Sequence, residues 1–179
     1  MISSKYDWQF ATNFTDEKFL KKAKKAGLES AAASLLYQRG VQTEEALQEF
    51  LEPSLDQLHD PYDLHDMDRA VERIRTAIEN YEQILIYGDY DADGMTSASI
   101  VKEALEQLGA ECQVYLPNRF TDGYGPNSSV YKYFIENQGI SLIITVDNGV
   151  AGLEAIELAQ SLGVDVIVTD HHSMPEELP

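Results

Sequence analysis

Three short apolar runs, each rich in β-branched residues, lead into acidic or imidazole side chains. The run 84–86 precedes Asp89, the run 141–146 ends at Asp147, and the run 164–169 ends at Asp170. Strands of this kind that alternate with helical segments predict a parallel sheet with right-handed crossovers. The carboxyl ends of parallel strands lie side by side and form the ligand-binding edge of such a sheet. We therefore expect these side chains to gather at one edge.

The apolar periodicity predicts an α/β fold, a Rossmann-like parallel β-sheet flanked by helices, that follows an α-helical N-terminal segment. We place the boundary between these parts at residues 65 and 66. In the first part, Thr43 has the position of a helix N-cap. The elements expected after it are helices at 67–81, 97–108, 127–138 and 153–162 and strands at 84–87, 112–116, 142–146 and 164–169.

The segment that follows the first apolar run carries carboxylates at alternate positions. They belong to Asp89, Asp91 and Asp93. Their mutual repulsion is costly unless a cation lies among them. Hard divalent ions take oxygen ligands, which makes this turn a candidate metal site. Taken by itself, the stretch has an alternative explanation as an acidic, solvated turn.

The other two strand ends add Asp147, Asp170, His171 and His172 to the same predicted edge. Carboxylates with imidazoles and no thiolate favour Mn²⁺ or Mg²⁺ over Zn²⁺, and the imidazoles favour Mn²⁺ in particular. The carboxylates suffice for two ions about 3.5–4 Å apart that share one aspartate, the arrangement used in phosphate-ester displacement.

The charge balance limits the partners of the chain. There are 13 Lys and Arg against 31 Asp and Glu, a formal net charge of -18, which is a poor match for a polyanion. Either the substrate is not nucleic acid, or bound metal and further parts of a protein supply positive charge.

The single cysteine, Cys112, allows no intramolecular disulfide. The sequence has neither a signal-peptide core nor a membrane-spanning run, and we expect a cytoplasmic protein.

The three motifs, in this order, resemble motifs I to III of the DHH phosphoesterase superfamily. They are Asp-Tyr-Asp-Ala-Asp-Gly at 89–94, Val-Asp-Asn-Gly at 146–149 and Thr-Asp-His-His at 169–172. Within that superfamily, the stretches 87–97, 117–125 and 144–149 are similar to bacterial single-strand-specific 5′-to-3′ exonucleases. The stretches Tyr6-Asp7-Trp8 and 50–53 are similar to their leading segment, and the resemblance covers essentially the whole chain.

The resemblance implies a role for each motif residue. Asp89 ligates one ion and Asp91 the other, Asp147 bridges the two, and His171 joins Asp91 and Asp147 around the second ion. His172 faces the scissile phosphate.

It further implies that Asp170 orients a histidine through its ring N–H, and that Asp93 and Gly94 shape the turn. Arg119 and the loop 123–125 are expected to contact phosphate or a base. The alternative interpretation of Arg119 and the loop 123–125 is a flexible turn with an arginine at its edge and no contact with substrate.

The activity implied is metal-dependent hydrolysis of single-stranded DNA from its 5′ end, in recombination and repair. The expected partners are single-stranded DNA and a single-strand-binding protein or a helicase, with the enzyme itself a monomer.

Two departures from the family pattern weaken the site. Tyr87 stands where some relatives have a histidine, and a fourth metal-ligating motif and a second lobe are expected only after Pro179. We therefore expect the 179 residues alone to be inactive and to bind Mn²⁺ weakly.

Three other interpretations stay open at this point. A smaller DHH relative that cleaves short oligonucleotides or cyclic dinucleotides shares the motifs but does not need the N-terminal segment. A phosphatase of the haloacid dehalogenase type also places Asp-x-Asp-Gly after its first strand, here at 91–94, yet leaves Asp-His-His unexplained. A non-catalytic DHH-fold scaffold of a replication complex is the third.

Overall fold

The computed structural model of the protein describes residues 16–179. The chain divides into two compact units, Met1–Asp63 and Leu64–Pro179. The Tyr6-Asp7-Trp8 stretch of the family resemblance lies outside the described residues. No helix in the described range is both long and apolar enough to cross a membrane.

The described part of the first unit is helical. Its elements are α1 (Glu17–Lys25), α2 (Ser30–Gln38) and α3 (Glu44–Leu51), followed by short 3₁₀ turns at Leu55–Gln57 and Pro61–Asp63. Phe19, Ala23, Ala33 and Leu47 form its buried core. Thr43 caps α3 as predicted, because its Oγ1 accepts a hydrogen bond from the N–H of Ala46 at 3.1 Å.

The second unit contains a four-stranded parallel sheet, which confirms the predicted α/β fold. Its strand order is β2-β1-β3-β4. The elements are α4 (Met67–Glu79), β1 (Gln83–Tyr87), α5 (Ala92–Gln107), β2 (Glu111–Tyr115), α6 (Ser128–Gln138), β3 (Ile140–Val146), α7 (Leu153–Ser161) and β4 (Asp165–Thr169).

Helices cover both faces of the sheet. The two central strands are therefore buried on both sides, which accounts for their apolar residues at successive positions. On one face, Leu85 and Ile143 pack with Ile156 of α7. On the other, Ile84 and Ile144 pack in the cluster that includes residues of α4 and α5. The central strands β1 and β3 are therefore buried up to their carboxyl ends, where the candidate site residues follow.

Helix α5 begins at Ala92, earlier than the predicted start near Ser97. The reason is Asp91, which acts as the N-cap: its carboxylate accepts hydrogen bonds from the N–H groups of Asp93 at 3.0 Å and Gly94 at 3.1 Å. Asp93 is consequently part of the first helical turn. Cys112 is half-buried on edge strand β2.

Candidate metal centre

The carboxyl edge of the sheet brings three aspartates together. Asp89 follows β1, Asp91 caps α5 and Asp147 follows β3 directly. One carboxylate oxygen from each lies within 4.8 Å of the other two. A second group with the same spacing consists of Asp147, His171 and His172. Asp147 is common to both groups, so the structure gathers these predicted site residues around a single carboxylate.

The three carboxylates lack a lysine or arginine partner among the described residues. Asp89 is 2% exposed and Asp147 8% exposed, yet within residues 16–179 neither forms an ion pair with a lysine or arginine, nor does Asp91. Burial of unpaired carboxylates is costly. Oxygen donors around a cavity with one imidazole nearby form a set that suits Mn²⁺ or Mg²⁺. The residues present therefore fit a hard divalent ion.

A close approach of the backbone places Asp89 at this edge. A Cβ atom built on Gly94 would lie 2.4 Å from the nitrogen and 2.6 Å from the Cα of Asp89. Only glycine permits this contact between the first turn of α5 and the strand end. The N–H of Tyr90 donates to Oδ1 of Asp89 at 2.6 Å and fixes that carboxylate.

Asp147 has a left-handed backbone conformation, with φ of 60°. Its N–H donates to the carbonyl of Thr169 at 3.0 Å, which keeps the strand end next to β4. Such a conformation is uncommon for a residue other than glycine, although aspartate and asparagine tolerate it better than other side chains, and it is found where the surrounding structure enforces it. Burial raises the pKa of the Asp147 carboxyl and the charges of Asp91 and Asp93 raise it further, while the hydrogen bond with His171 acts against them.

His171 reaches this carboxylate from the end of β4. Its Nε2 lies 2.8 Å from Oδ1 of Asp147 and 3.9 Å from Oδ2 of Asp93. The imidazole is largely exposed, with 71% of its side-chain area accessible. Asp93, placed in the first turn of α5, thus lies beside the cluster without being one of its closely grouped carboxylates.

Asp170 contacts the second histidine, His172. The Nδ1 of His172 is 2.7 Å from Oδ1 of Asp170, and the same carboxylate accepts the N–H groups of His172 and Val150, each at 3.0 Å. Burial by itself raises the pKa of Asp170, but these hydrogen bonds outweigh it and the pKa is lowered. The bond from Asp170 in turn raises the pKa of His172. The contact expected between Asp170 and a histidine is thus present at His172.

Tyr87 belongs to the core and is not part of either group of possible ligands. Its ring is fully buried in the core between the sheet and helices α6 and α7, and its hydroxyl donates to the carbonyl of Gly125 at 3.0 Å. Burial raises the pKa of Tyr87, which keeps the hydroxyl protonated as a donor. In the sequence, Tyr87 stands where some relatives have a histidine. Its hydrogen bond to the carbonyl of Gly125 could not be predicted from that position.

The loop 117–126 lies beside the site. Arg119 lies over the ring of Tyr90, with its Cζ 5.5 Å from the ring centroid; it is not part of either group of possible ligands. Tyr124 makes an edge-to-face contact with His172 at a centroid distance of 6.0 Å. Burial raises the pKa of Tyr124, and the charges of Asp89, Asp170 and Asp147 raise it further. The Gly-Tyr-Gly triplet was the sequence signal for this position.

An open cleft of about 480 Å³ adjoins the cluster on its α5 side. Asp93, Asp147 and His171 line it at one end, and Ser97 and Ile100 of α5 extend it. Of the candidate ligands, Asp147 and His171 therefore face an open space rather than a sealed core.

The comparisons with known proteins identify the family of the chain. The model of the "DHH family, N-terminal domain" matches residues 83–179, more than half of the chain. The single-stranded-DNA-specific exonuclease RecJ of Bacillus subtilis is 41% identical over 179 residues, which is 100% of this chain and 22% of that protein. RecJ of Escherichia coli is 43% identical over 117 residues, covering 65% of this chain and 20% of that protein. The chain thus spans about a fifth of the length of these relatives.

Solved structures show the same likeness. A crystal structure of exonuclease RecJ bound to manganese has a TM-score of 0.61 at 33% identity and covers 65% of this chain and 30% of that one. RecJ from Thermus thermophilus in complex with Mn²⁺ has a TM-score of 0.61 at 27% identity and covers 90% of this chain and 22% of that one. The haloacid dehalogenase interpretation is set aside, since the family model that matches residues 83–179 is that of the DHH family and the three motifs occur in the order of that family. The chain belongs to the DHH family.

Proposed function

We propose that this chain comprises an N-terminal helical segment and the first lobe of a metal-dependent exonuclease that hydrolyses single-stranded DNA from its 5′ end. The observation that carries the proposal is the position of Asp147, whose carboxylate is shared by the aspartate group and the histidine group. A shared aspartate is the central element of a two-metal phosphoesterase site. The 41% identity to a single-strand-specific exonuclease across the whole chain supports the substrate class.

The metal ligands in this proposal are Asp89, Asp91, Asp147 and His171, with Mn²⁺ or Mg²⁺ as the ions. Bound divalent ions of this kind lower the pKa of a water molecule and neutralise charge on phosphoryl oxygens. The chain contributes fixed positions: the Tyr90 N–H holds Asp89, the α5 N-terminus holds Asp91, and β3 and β4 hold Asp147.

His172 is proposed to face the scissile phosphate. Asp170 fixes its Nδ1 edge at 2.7 Å and raises its pKa, which keeps a proton available for hydrogen bonding to an anionic oxygen. Arg119 is proposed as a further phosphate contact, because its guanidinium lies over the ring of Tyr90, which belongs to the turn that carries Asp89 and Asp91.

The net charge of -18 shapes the proposed mode of DNA binding. Most of the phosphate-neutralising charge must then come from bound metal and from parts of the protein beyond these residues. We place the enzyme in recombination and repair in the cytoplasm, as a monomer acting with a single-strand-binding protein or a helicase.

Two alternatives are less well supported. A non-catalytic scaffold does not require Asp89, Asp91, Asp147 and His171, and all four are present and close together. A smaller DHH phosphodiesterase does not require the N-terminal unit, which the 41% identity to the Bacillus relative includes.

A direct test uses the complete exonuclease on single-stranded DNA labelled at one end. With Mn²⁺ present, a 5′ label should be released as a short product at once, whereas a 3′ label should shorten progressively. Chelation should stop both reactions. Asp147→Asn should be inactive, and Asp68→Asn, which changes an exposed aspartate of α4, should match the wild type. Release that begins at the 3′ label, or persists after chelation, would contradict the proposal.

A further inference from the structure

The loop 117–126 is built to a defined shape by local hydrogen bonds. The Asp122 carboxylate accepts the N–H of Asn118 at 2.7 Å, the hydroxyl of Tyr115 at 2.7 Å and the hydroxyl of Thr121 at 2.9 Å. The Asn127 side chain, which caps α6, donates to the carbonyl of Asp122 at 2.8 Å. The first half of the loop is therefore tied to both β2 and α6.

Tyr124 lies between two glycines that define the second half of the loop. Gly123 has φ of 82° and Gly125 has φ of 76°, and a Cβ atom at either would meet open space. Glycine is therefore needed there for its backbone conformation rather than for a close approach. This conformation presents the ring of Tyr124 to His172, at 6.0 Å and an interplanar angle of 81°.

Tyr87 holds this half of the loop from the core. The ring of Tyr87 packs edge-to-face against Tyr131 at 5.2 Å and obliquely against Tyr115 at 5.5 Å. Its hydroxyl donates to the carbonyl of Gly125, the residue after Tyr124. A hydroxyl on a ring fixed on two sides is a rigid anchor, so the position of Gly125 follows from core packing.

His172 needs this support because only one of its edges is fixed by Asp170. Its side chain is 43% exposed, and an imidazole held by one hydrogen bond keeps freedom to tilt about that bond. Two rings limit the tilt: His171 packs obliquely at a centroid distance of 5.0 Å on one part of the ring, and Tyr124 makes the edge-to-face contact at 6.0 Å, an arrangement with preferred geometry.

We propose that Tyr124 is a positioning residue for His172, and that Tyr87 sets the position of Tyr124 through Gly125. The contact is independent of the proposed exonuclease activity, whereas its catalytic consequence rests on that activity. The two are therefore tested by separate measurements.

The contact is tested by nuclear magnetic resonance on the 179-residue chain, which has four histidines. Carbon–proton spectra of the rings resolve one set of signals for each, and His172→Gln identifies its set. Tyr124→Ala should shift the His172 signals by removing the ring current, and Tyr124→Phe should restore them. Tyr87→Phe should shift them in the same direction. Tyr133→Ala removes a tyrosine of similar exposure, 54% against 55%, and should leave them in place.

Unchanged His172 signals in Tyr124→Ala would overturn the proposal, and unchanged signals in Tyr87→Phe would overturn the role of Tyr87. Tyr87→Phe keeps the ring volume; if it nevertheless fails to fold, Tyr124→Ala on the exposed loop still decides the first part.

The catalytic consequence is tested by steady-state kinetics of the complete exonuclease. Tyr124→Ala should lower kcat about ten- to a hundredfold, since small misplacements of a reacting group cost up to about a hundredfold, with little change in KM. Tyr124→Phe should retain kcat. A rise in KM alone would mean that Tyr124 only holds substrate and would overturn the positioning role. An inactive wild type would count against the proposed function, while the resonance measurement would still decide the contact.

Discussion

His171 and Asp147 meet across two neighbouring strands, with the Nε2 of the histidine 2.8 Å from Oδ1 of the aspartate. Strands β3 and β4 pair in register up to Val146 and Thr169, so the residues that follow them leave the sheet together. The left-handed conformation of Asp147 turns its carboxylate into the shared position. The chemistry of the site therefore depends on backbone geometry as much as on side-chain identity.

Asp147→Asn should separate the charge of this residue from its conformation. Asparagine tolerates φ of 60°, so Asp147→Asn should keep the thermal stability of the 179-residue chain. Asp147→Ala should be less stable than Asp147→Asn by about 1–2 kcal/mol, the usual cost of the left-handed region for a residue such as alanine. Both variants should lose Mn²⁺ binding by calorimetry. Equal stability of the two variants would show that the conformation is not a strain on the fold.

Asp91 should show two separable functions. Asp91→Asn retains a side-chain oxygen for the N–H groups of Asp93 and Gly94, so denaturant unfolding should change little while Mn²⁺ affinity falls. Asp91→Ala removes the cap as well and should cost about 0.5–2 kcal/mol. If the alanine variant is as stable as the asparagine variant, the capping role is wrong.

Gly94→Ala should be destabilising, although alanine in a helix usually stabilises by about 1 kcal/mol relative to glycine. The added methyl group would overlap the backbone of Asp89 and push that aspartate away from the cluster. Thermal unfolding and Mn²⁺ titration should both show the loss. Ser99→Ala, at an exposed position of the same helix, should stay within about 0.5 kcal/mol of the wild type. A stabilised Gly94→Ala would contradict the close approach.

Arg73 should make the stability of the second unit dependent on pH. Its guanidinium pairs with Glu82 and Asp165, each at 2.6 Å, and donates to the carbonyl of Ser141 at 3.2 Å. Burial by itself raises the pKa of Glu82, but Arg73 outweighs it and the pKa lies below the usual 4.5. Because the pKa of Glu82 is lower in the folded state than in the unfolded state, its ionised carboxylate stabilises the fold. This stabilisation is fully present above pH 4.5 and is lost as the pH falls through the folded-state pKa of Glu82.

Arg73→Met should therefore lower the free energy of unfolding by about 1–3 kcal/mol at neutral pH, and by less near pH 3. Urea unfolding followed by circular dichroism measures both. Lys102→Met, which removes an exposed ion pair with Glu106 on α5, should cost less than about 0.5 kcal/mol at either pH. The same loss for Arg73→Met at both pH values would mean that its ion pairs contribute nothing.

The sheet and its ligand-bearing edge were predictable because they depend on local patterns. Three apolar runs that end in acids predict both the strands and their common edge. Thr43 and Asn127 are residue types that favour the N-cap, and both cap a helix in the structure. The start of α5 was misplaced, although the same capping rule applied to Asp91 would have found it.

Other features depend on contacts that are remote in sequence. Tyr87 reaches a carbonyl 38 residues away, and Arg73 reaches Asp165 across 92 residues. Neither partner follows from periodicity or residue type. The left-handed backbone at Asp147 is also invisible to pattern reasoning, because aspartate is not a residue that requires it. The assignments of Asp89, Asp91, Asp147, His171 and His172 to metal and phosphate stay predictions.

The central claim is that the shared carboxylate of Asp147 is the core of a metal centre. The most direct test is a crystal of the 179-residue chain soaked in millimolar Mn²⁺ and measured at a wavelength where manganese scatters anomalously. We predict an anomalous peak within bonding distance of a carboxylate oxygen of Asp147 and of at least one of Asp89, Asp91 and His171, and no such peak in Asp147→Asn. Manganese bound at other surface acids with none at Asp147 would contradict the claim.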